Sequence, residues 1–169
     1  GGCAAGGTAA RGGAAGARAQ HHQPLAIRPG FPNGLKVLVI DENAASLEAT
    51  VSVLKQCNYQ VTTCKSCNSA IELLRKNSSF ETVLTDSKVL SKSDEQIKKF
   101  QDGLKGVPLL LMLEGDATTE VVKGIKMGAL QILHKPIVLE NARNIWQHTI
   151  RKMMAEKGLR PGPARSGGA

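Results

Sequence analysis

Three short hydrophobic runs in this chain each deliver charge at their carboxyl end. Lys36-Val37-Leu38-Val39-Ile40 is followed by Asp41 and Glu42, Thr82-Val83-Leu84-Thr85 by Asp86, and Leu130-Gln131-Ile132-Leu133 by His134 and Lys135. Runs this short and this rich in Val, Ile, Leu and Thr read as buried strands. In an open parallel sheet the carboxyl ends of the strands share one edge, and ligands bind there. Three carboxylates and one ammonium are therefore expected to meet. Crowded carboxylates repel, so such a site must raise a pKa or hold a cation. Oxygen ligands suit a hard dication such as Mg2+.

The elements that must position these groups alternate along the chain. After the first strand, Leu47, Val51 and Leu54 mark one face of a helix. Gln60–Cys64 reads as a second strand, and Ala70, Leu73 and Leu74 mark a second helix. Ile97, Phe100 and Leu104 follow the third strand, with Ser91 or Ser93 as cap. Val107–Met112 reads as a fourth strand, and Val122, Ile125 and Ala129 as the inner face of a helix that Asp116 caps. Leu130–Leu133 is the fifth strand, and Ala142, Trp146, Thr149 and Met153 line a final helix. Five βα units with right-handed crossovers place helices on both faces of a parallel sheet. The expected fold is α/β: a doubly wound, flavodoxin-like (βα)5 sheet of strand order 2-1-3-4-5.

Composition divides the chain into three. Residues 1–30 are Gly/Ala/Arg-rich and read as a disordered tail, 31–155 as the folded domain, and 156–169 as a disordered basic tail. The net charge of +8 sits mostly outside the core, since residues 31–150 hold 14 basic and 13 acidic side chains. The basic pI thus describes the tails and gives no reason to expect nucleic-acid binding by the core. No run approaches the ~20 apolar residues a membrane span requires, so no membrane partner is expected. Cys3, Cys57, Cys64 and Cys67 form no secreted disulfide pattern, which points to a reducing compartment. Cys64-x-x-Cys67 has no second pair and reads as structural, at a strand end rather than a helix start. His134 neighbours Lys135 on a strand, so it points to the opposite face.

Residues 36–42, Val83-Leu84-Thr85-Asp86 and His134-Lys135-Pro136 resemble the receiver domain of two-component response regulators. Residues 31–39, Tyr59–Cys64 and Asn144-Ile145-Trp146-Gln147-His148 are similar to segments of plant type-B response regulators and their pseudo-response-regulator relatives. The resemblance implies a non-enzymatic receiver in a His-to-Asp phosphorelay, in cytokinin signalling, with a histidine-phosphotransfer protein as donor and other response regulators as further partners. Carried over by position, Asp86 is the phosphoacceptor and Lys135 contacts the phosphoryl oxygens. Asp41, Glu42, Asp86 and the backbone carbonyl of Lys88 hold Mg2+. The Lys135-Pro136 bond is expected to be cis. Location is nucleus or cytoplasm, with the nucleus implied by resemblance. No DNA-binding domain is visible beside the receiver, so transcription regulation is not expected of this stretch alone.

The chain departs from the family at several places. Glu42 stands where Asp is usual. Leu113 stands where the fourth strand ordinarily ends in Ser or Thr, and Ile132 where the fifth carries Tyr or Phe. Leucine offers no hydrogen bond to a phosphoryl oxygen, and a bond to a charged group is typically worth about 1.5–3 kcal/mol. The loop after Asp86 lacks the usual Pro and Gly, and Lys88 could neutralise the acidic pocket. The alternative is therefore a pseudo-receiver, a phosphate-independent interaction module. A flavin- or nucleotide-binding enzyme on the same fold would need a phosphate loop, and no Gly-x-Gly-x-x-Gly follows a strand.

Overall fold

Alternation along the strands decides which face of the sheet each side chain joins. In β1 (Lys36–Ile40), Val37 and Val39 pack on one face while Leu38 and Ile40 pack on the other. In β4 (Leu109–Leu113), Leu110 and Met112 join the first face, and Leu109 and Leu111 the second. This is the period-2 signature of a strand buried on both sides. β2 (Gln60–Cys64), β3 (Thr82–Asp86) and β5 (Gln131–His134) complete a five-stranded sheet of order β2-β1-β3-β4-β5, with every neighbour parallel. The computed structural model describes residues 27–158 except 78, 91, 92 and 117. Expectations for residues 1–26 and 159–169 lie outside that range.

Helices cover both faces. α1 (Ala44–Gln56), the one-turn α5 (Leu139–Ala142) and the start of α6 (Trp146–Glu156) cover the face that holds Leu35, Leu84 and Leu133. α2 (Cys67–Lys76), α3 (Asp94–Leu104) and α4 (Thr118–Lys126) cover the face that holds Phe80, Phe100 and Met127. The strand order and this two-sided covering make the flavodoxin-like fold the sequence predicts. The unit that carries the sheet runs from Gly30 to Lys152.

Caps fix where three helices begin. The side chains of Asn43, Ser66 and Ser93 accept from the amides of Ser46, Ser69 and Gln96, each three residues on. Such caps satisfy orphan donors of the first turn. All three follow strand ends or the loop after β3, so the helices start beside the carboxyl edge of the sheet.

Three details differ from the sequence reading. The inner face of α4 is carried by Gly124, with Met127 buried just past the helix end, while Val122 and Ile125 are exposed, Ile125 at 61%. A β-carbon on Gly124 would lie 2.5 Å from Leu111 Cδ2, so glycine lets this helix close on β4. The expected final helix is two helices, α5 and α6, separated by residues 143–145. Cys67 is the first residue of α2, not part of a strand end. Burial pushes both thiols up, Cys64 to about 11, which disfavours the reactive thiolate.

Candidate functional site at the carboxyl edge of the sheet

Asp41 leaves the end of β1 and Asp86 ends β3, two adjacent strands of the sheet. Both are buried, with 1% and 3% of their surface exposed. Buried carboxylates must find donors or a counter-charge. Lys135 supplies the charge for both: its Nζ lies 2.7 Å from Asp41 Oδ2 and 2.6 Å from Asp86 Oδ1. Its own backbone amide donates to the carbonyl of Leu113 at 2.8 Å, which ties the loop after β5 to the end of β4. The Lys135-Pro136 bond is cis, as the resemblance implies, and so is Phe31-Pro32.

The remaining oxygens are held by the loops that follow the strands. The Asn43 amide donates to Asp41 Oδ1 at 3.0 Å, and the Ser46 hydroxyl to Asp41 Oδ2 at 2.7 Å. The Lys88 amide donates to Asp86 Oδ2 at 3.0 Å from the 3-10 turn Ser87–Leu90. Burial alone would push the Asp41 carboxyl up. Hydrogen bonds from Lys135, Ser46 and Asn43, with the Lys135 charge, outweigh it and hold the carboxyl below its ordinary value. Burial would push Lys135 down, but its two carboxylate partners hold it above its ordinary value.

Glu42 does not join this group. It is exposed and lines a separate cavity with Ser66, Asn68, Val89 and Ser93. The expected meeting of three carboxylates is thus a meeting of two, because neighbouring residues 41 and 42 point apart where the chain leaves the sheet. Among the described residues, no three acidic, histidine or cysteine side chains gather closely enough to hold a metal. The donor chemistry still suits a hard dication. Two buried carboxylates against one ammonium leave one formal negative charge, and Asp41 and Asp86 offer oxygen ligands only.

Lys88, expected as a possible neutraliser of the pocket, extends its ammonium to Glu114 at 3.6 Å, between two well-exposed side chains. His134 is exposed. Leu113 is 1% exposed at the end of β4, and Ile132 packs partly buried against the core of the α2–α4 face. Two features of this edge escaped the sequence. Ser46 belongs to the Asp41 site, and the Asn43-x-x-Ser46 capping spacing was its signal. Ser87 is buried and donates to Glu120 Oε1 at 2.6 Å, a contact across 33 residues that no local pattern announces.

The family model described as the response regulator receiver domain matches residues 37–147. The chain is 34% identical over 127 residues to the two-component response regulator ORR26 of Oryza sativa subsp. japonica, covering 75% of this chain and 22% of that protein. It is 31% identical over 136 residues to the two-component response regulator ARR10 of Arabidopsis thaliana, covering 80% of this chain and 25% of that protein. The chain therefore spans about a quarter or less of the length of these relatives. A receiver domain protein of Clostridium thermocellum superposes with a TM-score of 0.57 at 20% identity, over 73% of this chain and 96% of that one. The chemotaxis response regulator CheY4 of Vibrio cholerae gives 0.55 at 22% identity, over 68% and 97%. At that identity the two structures speak for the fold alone.

Proposed function

The chain belongs to the response regulator receiver domain family, and from that premise we propose that it receives phosphate on Asp86 in a His-to-Asp phosphorelay. One observation carries the proposal. Asp86 is a buried carboxylate at the end of the central strand β3, with the Lys135 ammonium 2.6 Å from one oxygen and shared with Asp41.

An Asp86 oxygen attacks the phosphorus of a phosphohistidine on a histidine-phosphotransfer protein. The P–N bond breaks, the imidazole leaves with its electron pair, and an acyl phosphate forms on Asp86. Such a transfer needs positioning and charge neutralisation more than covalent chemistry from the protein. The Lys88 amide and Lys135 hold the attacking carboxylate in place. Lys135 then offers its ammonium to the phosphoryl oxygens. Asp41, Asp86 and the Lys88 carbonyl would hold Mg2+, which when bound neutralises charge on the transferred group, and Glu42 would have to turn in from its exposed position to join them.

The receiver unit in this proposal is 31–155. Its plant relatives support a place in plant two-component signalling, and the type-B resemblance extends this to cytokinin response and the nucleus. Other response regulators are further candidate partners. Transcription regulation is proposed only for a longer product carrying a DNA-reading module. The second reading, a pseudo-receiver that binds partners whatever the state of Asp86, is favoured by Leu113 and Ile132. Label transfer from a phosphorylated histidine-phosphotransfer protein with Mg2+ decides between them. Transfer to the native chain and none to Asp86→Asn supports the relay. No transfer to the folded native chain leaves the pseudo-receiver.

A further inference from the structure

The end of β4 offers hydrocarbon where a hydroxyl would report on Asp86, yet a hydroxyl lies one residue away. Ser87 directly follows Asp86, is 4% exposed, and spends its single proton on Glu120 Oε1 at 2.6 Å. Glu120 sits in the first turn of α4, the helix that follows β4. The chain segment that bears Asp86 is thus strapped to α4 through one charged hydrogen bond. Such bonds are short and roughly twice as strong as neutral ones. The strap also sets an anionic carboxylate two links from the carboxylate that would gain phosphate.

We propose that the Ser87–Glu120 hydrogen bond couples the charge at Asp86 to α4, with Glu120 as the group that senses that charge. This rests on the phosphoacceptor reading for its biological use, but not for its physics. A phosphoryl group adds negative charge at Asp86. Like charges repel more strongly where water is scarce, and Asp86 and Ser87 are both buried. Added charge therefore drives Glu120 away from Ser87 and loosens the first turn of α4. Removed charge tightens it. The exposed side chains Val122 and Ile125 ride on the same helix, so a loosened α4 changes the surface a partner meets. Ser87 and Glu120 are positioning residues here and take no part in the transfer itself.

Amide hydrogen exchange across residues 118–126 of the full chain tests this. The native chain is compared with Asp86→Asn, Glu120→Gln and the double variant, and, with Mg2+ present in both arms, the native chain and Glu120→Gln also with and without beryllofluoride as phosphoryl mimic. Glu120→Gln keeps an acceptor oxygen for Ser87 and removes the charge. The expected result is slower exchange in Asp86→Asn and faster exchange with the mimic, by roughly tenfold, the scale of one charged hydrogen bond. Both responses vanish with Gln at 120. Ser87→Ala exchanges fast throughout. Responses of equal size with Glu or Gln at 120 overturn the strap. Coupling between positions 86 and 120 without label transfer to Asp86 sinks the phosphoacceptor reading and leaves the strap. Label transfer without that coupling does the reverse.

Discussion

The two halves of the sheet's carboxyl edge are built from opposite materials. At β1 and β3 the edge is ionic: Asp41 and Asp86 share Lys135, and three further donors hold the carboxylate oxygens. At β4 and β5 it is apolar, with Leu113 buried and Ile132 packed against the core. The first half carries the buried carboxylates and the ammonium on which the proposed phosphate acceptance rests. The second lacks a hydroxyl and an aromatic ring through which a phosphoryl group could be felt. Proposed acceptance and readout thus rest on different side chains of this edge, although Lys135, which serves the ionic half, arrives from the loop after β5. A chain can keep one while replacing the other without disturbing the sheet.

Removing the shared ammonium should break the ionic half outright. Lys135→Ala leaves two buried carboxylates facing each other, and unpairing a buried charge costs about 3–5 kcal/mol. Urea melts at neutral pH are expected to show a loss on that scale, and label transfer to Asp86 should disappear with it. A loss below about 1 kcal/mol would mean that water, not Lys135, compensates these groups.

Restoring a hydroxyl should narrow the contrast from the apolar side. Leu113→Thr removes buried packing worth about 2–3 kcal/mol. It also offers a donor beside Asp86, so beryllofluoride with Mg2+ is expected to bind roughly tenfold more tightly, judged by one charged hydrogen bond. Titration followed by the Trp146 fluorescence or by amide shifts would read this. Unchanged affinity would show that residue 113 does not face the phosphoryl position.

Acid should unpick the ionic half before the apolar half responds. The Asp41 carboxyl titrates below its ordinary value, so its stabilisation is present above that ordinary value and is lost as pH falls through the lowered one. Lys135 titrates above its ordinary value, so its stabilisation is complete below that value and fades as pH rises through the raised one. Stability measured against pH should therefore form a plateau bounded by both limbs. Asp41→Asn is expected to flatten the acid limb, and an unaltered limb would place the effect on other carboxylates.

The smallest effect expected lies on α4. Gly124→Ala gains about 1 kcal/mol of helix propensity and loses about 1–3 kcal/mol by pressing on Leu111. The net should be a slight destabilisation with no change in label transfer. A clear gain in stability would show that α4 stands further from β4 than the packing requires.

Much of the ionic half was legible in the sequence, because a strand-end acid follows directly from a run of hydrophobic residues. β1 and β2 begin and end where the patterns place them. β4 starts two residues late because Pro108 cannot donate to the sheet ladder. The phase of α4 was misread because Gly124, its buried residue, carries no hydrophobic signal. Glu42 was counted with its neighbour Asp41, although a residue that leaves a strand can turn either way. Ser87 and Glu120 were invisible because their contact depends on how α4 is set against the turn after β3. Sequence spacing shows which groups reach an edge, and packing decides which of them touch.

The Asp41–Lys135 contact joins residues 94 apart in the chain. During synthesis from the amino terminus, β1 and β3 exist long before Lys135 does. Any pairing of β1 with β3 before then sets two carboxylates side by side without the ammonium they share in the folded chain. Lys135 is therefore the last piece of the site to arrive and acts as its clasp. A nascent chain halted before residue 135 lacks the ammonium that Asp41 and Asp86 share. Completion of the site precedes completion of the fold, because α5 and α6 still have to follow and cover one face of the sheet.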